Sequence, residues 1–116
     1  MARKLKAKEL SAEALQMIAA RFKVLSDVTR LRLLIELEAG EKNVTELVRA
    51  TDVIQANVSR HLQMLTDAGL VRRRKEGVKV YYAIADDMIF DLCEHVCGSL
   101  QKRLSQQGRA ARLFVP

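Results

Sequence analysis

The chain has 116 residues, 49% of them hydrophobic, which suits one globular domain. A chain this short buries only about 65% of its unfolded surface, so a second copy would add core. A net charge of +6 favours an anionic partner, and nucleic acid ahead of anionic membrane, because phosphate neutralisation by Lys and Arg supplies most non-specific affinity. No apolar run approaches the roughly 20 residues that span a bilayer, and the opening MARKLKAKEL has basic residues without the apolar core of a secretion signal. We expect a cytoplasmic protein whose two cysteines are free thiols.

In chain order, residues 1–10 read as a basic arm carrying Arg3, Lys4, Lys6 and Lys8. Ser11 can cap a helix in which Leu15, Ile18, Ala19, Phe22 and Leu25 form one apolar stripe. Asp27 can cap the next, where Leu31, Leu33, Leu34, Ile35 and Leu37 leave little polar face, and Gly40 supplies the stop; this is the central core helix. Asn43 with Glu46 fits a capping box for a two-turn helix, and Thr51 to Ile54 reads as the following turn. Val58, Leu62 and Leu65 then share a helical face that Gly69 ends. Leu70 to Lys75 and Val78 to Ile84 read as strands joined through Glu76 and Gly77, with Val78, Val80, Tyr82 and Ile84 alternating inward. A last helix starts near Asp86 or Asp87 and runs to about Gln106, with Ile89, Leu92, Val96, Leu100 and Leu104 as its stripe. From Gly108 no period is visible, so the domain is expected over 11–106, with a tail at 107–116.

Two short helices across a turn, then a basic hairpin, is an order of elements suited to reading duplex DNA. With about 100° per residue and Val58 as the core direction, Asn57, Ser59, Arg60 and Gln63 fall outside the apolar arc. Because a reading helix presents its N-terminal residues to base edges, Gln55, Asn57, Ser59 and Arg60 are expected in the major groove. Arg suits guanine, and Gln and Asn suit adenine. Arg72, Arg73, Arg74 and Lys75, with Lys79 after the turn, place five cations on the hairpin. One or two lysines discourage edge-to-edge aggregation, but four consecutive cations repel one another unless phosphate relieves them. His61, at the border of the apolar face, reads as a packed or locally hydrogen-bonded histidine, with phosphate contact as the alternative.

DVTRLRLLIEL, followed by QANVSRHLQMLTDAGLVRRRKEGVKVYYAI, resembles the ArsR/SmtB family of winged-helix repressors over about residues 15–105. The most specific parts are V-S-x-H-L-x-x-L from Val58 to Leu65, the A-G-L-V step and the G-x-x-V-Y-Y strand. The resemblance implies a mainly α winged helix-turn-helix fold with a small β-hairpin. It also implies a homodimer joined through first and last helices, binding an imperfect inverted repeat and repressing transcription until an inducer docks. By position, Gln55, Asn57, Ser59 and Arg60 match the family's base readers and Arg72 to Lys79 its wing. Val28 stands where the family commonly has proline, and Ile54 where it often has a Ser or Thr cap.

The Cys-x-Cys that many members carry before the reading helix is absent, since that stretch is Val44-Thr45-Glu46-Leu47-Val48. Asp86, Asp87, Asp91 and His95 could begin the family's last-helix zinc or nickel site, but Ser99 to Gln106 offers no His or acid to finish it. Cys93 and Cys97 remain. Four residues apart, they share a helix face about 160° from Asp91 and His95, so one chain cannot bring all four to one ion. The thiols could hold a soft metal or trivalent arsenic or antimony with ligands from a partner, could sense oxidants, or could simply pack. An enzyme is not expected, because no nucleophile is paired with a base and the two histidines fall on different elements. A winged-helix module for protein or RNA contacts is the other alternative.

Overall fold

The computed structural model describes residues 9–108 and 110–114, so the arm's Arg3, Lys4, Lys6 and Lys8 lie outside the described residues. Helix α1 spans Ala12–Leu25, and the Ser11 hydroxyl accepts the Ala14 N–H at 3.0 Å, as its sequence position suggests. Helix α2 spans Val28–Glu38 behind an Asp27 cap, whose carboxylate accepts the Arg30 N–H at 3.0 Å. Leu33, Leu34 and Leu37 of α2 are buried, which makes it a core helix, but Ile35 faces out. Its stripe is narrower than the count of apolar residues suggests.

Helix α3, Val44–Thr51, carries the full capping box: Asn43 Oδ1 accepts the Glu46 N–H at 2.9 Å, and Glu46 Oε1 accepts the Asn43 N–H at 3.0 Å. Thr51 belongs to this helix and not to the turn, because its hydroxyl donates to the Leu47 carbonyl at 2.7 Å in a buried position. The turn is thus Asp52, Val53 and Ile54, entered through a left-handed Asp52 at φ 56°. Helix α4 follows as Gln55–Asp67, with no side-chain cap from Ile54. Val58, Leu62 and Leu65 are fully buried beneath it, and Gly69 at φ 77° turns the chain out.

Three strands, one more than the sequence suggests, form an antiparallel sheet in the order β1-β3-β2. They are β1 (Lys42–Asn43), β2 (Val71–Glu76) and β3 (Lys79–Ile84). The short β1 pairs Lys42 with Tyr82 and Asn43 with Tyr81. Glu76 pairs with Lys79, so the hairpin loop is Gly77-Val78, and Gly77 at φ 60° supplies the first-position conformation that a tight hairpin needs. Val78 is therefore at the tip, 97% exposed, and only Val80, Tyr82 and Ile84 keep the expected inward alternation.

After Ala85 the chain forms a second compact unit. It holds α5 (Met88–Gln106) and a short α6 (Ala110–Leu113) that no sequence period announces. Asp86 Oδ1 accepts the Met88 N–H at 3.1 Å. Along α5, Ile89 and Leu104 are buried while Val96 and Leu100 are exposed.

The capping box sets an expected outcome. Asn43→Ala should destabilise the protein by about 1 kcal/mol, whereas Asn43→Asp retains the acceptor and should cost much less. Urea denaturation at constant m measures both.

Candidate nucleic-acid interface

All five side chains expected on the reading face of α4, Gln55, Asn57, Ser59, Arg60 and Gln63, are exposed. At about 100° per residue, Arg60 and Gln63 sit near the middle of the exposed arc, Gln55 and Ser59 toward the hairpin, and Asn57 on the opposite edge. Between α4 and the sheet runs a groove of about 500 Å³, where Gln55, Ser59 and Gln63 face Arg73, Val80 and Tyr82. Gln63 is engaged within its own helix, since its amide donates to Asp67 Oδ1 at 2.8 Å.

The hairpin cations separate by strand parity. Arg73 and Lys75 lie on the face that carries Val80 and Tyr82, the groove face, while Arg72 and Arg74 lie on the other with Tyr81. Arg74 is held: its guanidinium donates to Glu41 at 2.7 and 3.1 Å and to Glu76 at 2.7 Å, and lies 4.7 Å over the Tyr81 ring. The pairing pushes the Arg74 pKa up and, through the Arg74 hydrogen bond first, holds the Glu41 carboxyl below its ordinary value. Arg72 donates to the Ile84 carbonyl at 3.1 Å. Arg60, Arg73, Lys75 and Lys79 form no ion pair among the described residues.

Behind the exposed face of α4 lies a residue that the sequence reading overlooked. Arg30, only 8% exposed, donates from Nε to the Val24 carbonyl at 2.6 Å and approaches the Lys23 carbonyl at 3.4 Å, both at the end of α1. One terminal nitrogen reaches His61 Nδ1 at 3.0 Å and Met64 Sδ at 3.3 Å, both on α4. The signal was present: Arg30 precedes Leu33, Leu34 and Leu37 by three, four and seven residues, so a cation stands in the middle of the buried arc of α2. His61 is 7% exposed, which agrees with the packed, hydrogen-bonded reading. Burial lowers its pKa first, with Arg60 and Arg30 acting in the same direction and Asp27, 4.0 Å away, opposing. On α5, Cys93 is half-buried and Cys97 exposed. No group of three or more His, Cys, Asp or Glu that could hold a metal occurs among the described residues.

A helix-turn-helix flanked by a hairpin that walls a groove along its second helix defines a winged helix-turn-helix DNA-binding domain. Residues 27–73 match the family model described as bacterial regulatory protein, arsR family. The arsenical resistance operon repressor of Bacillus subtilis is 32% identical over 97 residues, 82% of this chain and 92% of that protein. The SmtB homologue of Synechocystis, a transcriptional repressor, is 36% identical over 93 residues, 80% of this chain and 70% of that one. Among solved structures, the homodimeric winged helix-turn-helix DNA-binding domain of a possible ArsR-family regulator from Mycobacterium bovis superposes with a TM-score of 0.71. It shares 32% identity, over 91% of this chain and 95% of that one. This chain belongs to the ArsR/SmtB family, and it is a DNA-binding transcriptional regulator, not an enzyme.

The Glu41–Arg74 pair carries a pH sign. Because the Glu41 pKa is lowered by folding, its contribution to stability is present above the ordinary 4.5 and is lost as pH falls through the lowered value. Glu41→Gln should therefore lower the urea midpoint at neutral pH, and the two proteins should converge in acid.

Proposed function

We propose that α4 reads base edges through Gln55, Asn57, Ser59 and Arg60, and that the wing grips phosphate through Arg73, Lys75 and Lys79. The observation that carries this reading is the exposed groove between α4 and the hairpin, with Arg73 on its hairpin wall and Arg60 exposed further round α4, neither in an ion pair among the described residues. Gln63 stands further along the helix, at the margin of the reading surface. Arg72 and Arg74 belong to the same basic hairpin, but their hydrogen bonds favour a role in holding the wing.

The protein acts in the cytoplasm as a homodimeric repressor on an imperfect inverted repeat. Support for dimerisation comes from apolar faces left open on α1 and on α5: Phe22 is 52% exposed and Val96 56%. The homodimeric M. bovis domain points the same way. Sedimentation at micromolar concentration should give about twice the 13.1 kDa chain mass. A monomer that still bound its operator tightly would overturn the dimer.

The inducer is a soft metal ion or trivalent arsenic or antimony, bound by Cys93 and Cys97 with further ligands from the partner chain. Two thiols one helical turn apart, one of them exposed, suit such an ion, and relatives include repressors of arsenical resistance operons. Soft ions should release the wild-type protein from DNA and leave Cys93→Ser/Cys97→Ser bound. Release by a thiol oxidant alone would assign the pair to redox sensing instead.

Base reading is tested by Arg60→Ala, which should lower the ratio of specific to random-duplex binding by about 1 to 3 kcal/mol. Arg73→Ala and Lys79→Ala should weaken both kinds of duplex and reduce the salt slope by about one each, whereas Arg74→Ala should leave that slope nearly unchanged. Equal losses on specific and random duplex for Arg60→Ala would remove it from base reading.

A further inference from the structure

The chemistry joining α1, α2 and α4 is unusual for a core contact, because it places a full positive charge against an imidazole. Arg30 uses three guanidinium nitrogens on four acceptors: two carbonyls at the end of α1, His61 Nδ1 and Met64 Sδ. Arg donates only, so Nδ1 of His61 must accept, and the ring must be neutral with its proton on Nε2. The apolar residues of α4 hold its depth, since burial of Val58, Leu62 and Leu65 is non-directional. The hydrogen bond is directional, and it fixes the rotation of α4 about its own axis. His61 is also the immediate neighbour of Arg60, so a change of rotation at one is a displacement of the other.

We infer that Arg30 and His61 are a positioning pair for the reading helix, locked while the imidazole accepts at Nδ1 and unlocked when that nitrogen takes a proton, so that DNA affinity is proton-sensitive. The charged groups facing the ring are Asp27 and Arg30 from α2 and Arg60 from α4 itself; α1 contributes only the carbonyls that Arg30 holds. Protonation leaves two donors facing each other across 3.0 Å, with like charge on both. The only acceptor among these groups is the Asp27 carboxylate, 4.0 Å from Nδ1, so the protonated ring must turn from Arg30 toward the α2 cap. The same linkage sets the sign: burial lowers the His61 pKa, so the folded state is penalised as pH falls below the ordinary 6.5.

This inference rests on α4 being the reading helix. Its test compares the wild type with His61→Asn, whose amide oxygen can take the place of Nδ1 and does not titrate, and with Arg30→Lys, which cannot reach all four acceptors. The probe is a duplex selected from a random pool by the wild type at about pH 7.5. Specific affinity of the wild type should fall severalfold more than that of His61→Asn between about pH 7.5 and pH 5.5, with about tenfold as the ceiling that linkage sets for one group titrating below 6.5. Arg30→Lys should bind specific duplex more weakly at neutral pH. Nitrogen-15 spectra of the imidazoles in the wild type test the contact without any substitution. They should show His61 as the Nε2–H tautomer, titrating below 6.5. A His61 protonated on Nδ1 at neutral pH, or parallel pH profiles for wild type and His61→Asn, would overturn the pair. If instead α4 does not read DNA, Arg60→Ala will leave the specific-to-random ratio unchanged while the tautomer result stands.

Discussion

The winged domain depends on how a charged group is accommodated where three helices meet. Burying the Arg30 guanidinium would cost several kcal/mol if its donors were left without partners. Here the Val24 carbonyl at the end of α1 has no further turn of helix to satisfy it and Arg30 fills that need, whereas the Lys23 carbonyl already accepts from the Ser26 N–H and hydroxyl. The cation also sits at the C-terminal end of α1, where the helix dipole favours positive charge. One residue therefore caps the end of α1, crosses the core and hydrogen-bonds α4. A leucine at this position could fill the volume but could not set a rotation.

The hairpin shows a comparable division of labour. Its cations alternate between two faces, and the face turned away from the groove is neutralised locally by Glu41, Glu76 and the Tyr81 ring. Glu41 comes from the segment between α2 and β1, so the ion pair ties the wing to the body of the domain across the central strand β3. Strand parity thus separates Arg74, held at the wing, from Arg73 and Lys75 on the groove face, while Lys79 shares the Arg74 face without an ion pair there among the described residues.

Much of this was legible in the sequence, for identifiable reasons. Ser11, Asp27 and the Asn43/Glu46 box announce helix starts because their side-chain oxygens satisfy N–H groups only at those positions. The Val58, Leu62, Leu65 spacing fixed the buried side of α4, and Gly77 located the hairpin turn to within one residue. Other features could not be read locally. A two-residue strand such as β1 has no period to detect, and Val78 looked inward only because alternation was extended past the turn. The engagement of Arg74 depends on Glu41, which is distant in sequence and close only in the fold. Arg30 was different: its place among three leucines is visible in the sequence, but its partners His61 and Met64 come from another helix. Base-reading and thiol roles are legible only through residue type and exposure, because base edges and inducers lie outside the chain.

Asn43 occupies two structures at once, as the last residue of β1 opposite Tyr81 and as the cap of α3. A slip of β1 by one residue along β3 would pull its side chain away from the first turn of α3 and turn it to the other face of the sheet. The mispaired sheet would then carry a frayed helix with it. Correct strand pairing and helix nucleation are thereby checked against each other, so the wing and the first half of the helix-turn-helix should gain and lose amide protection together during folding.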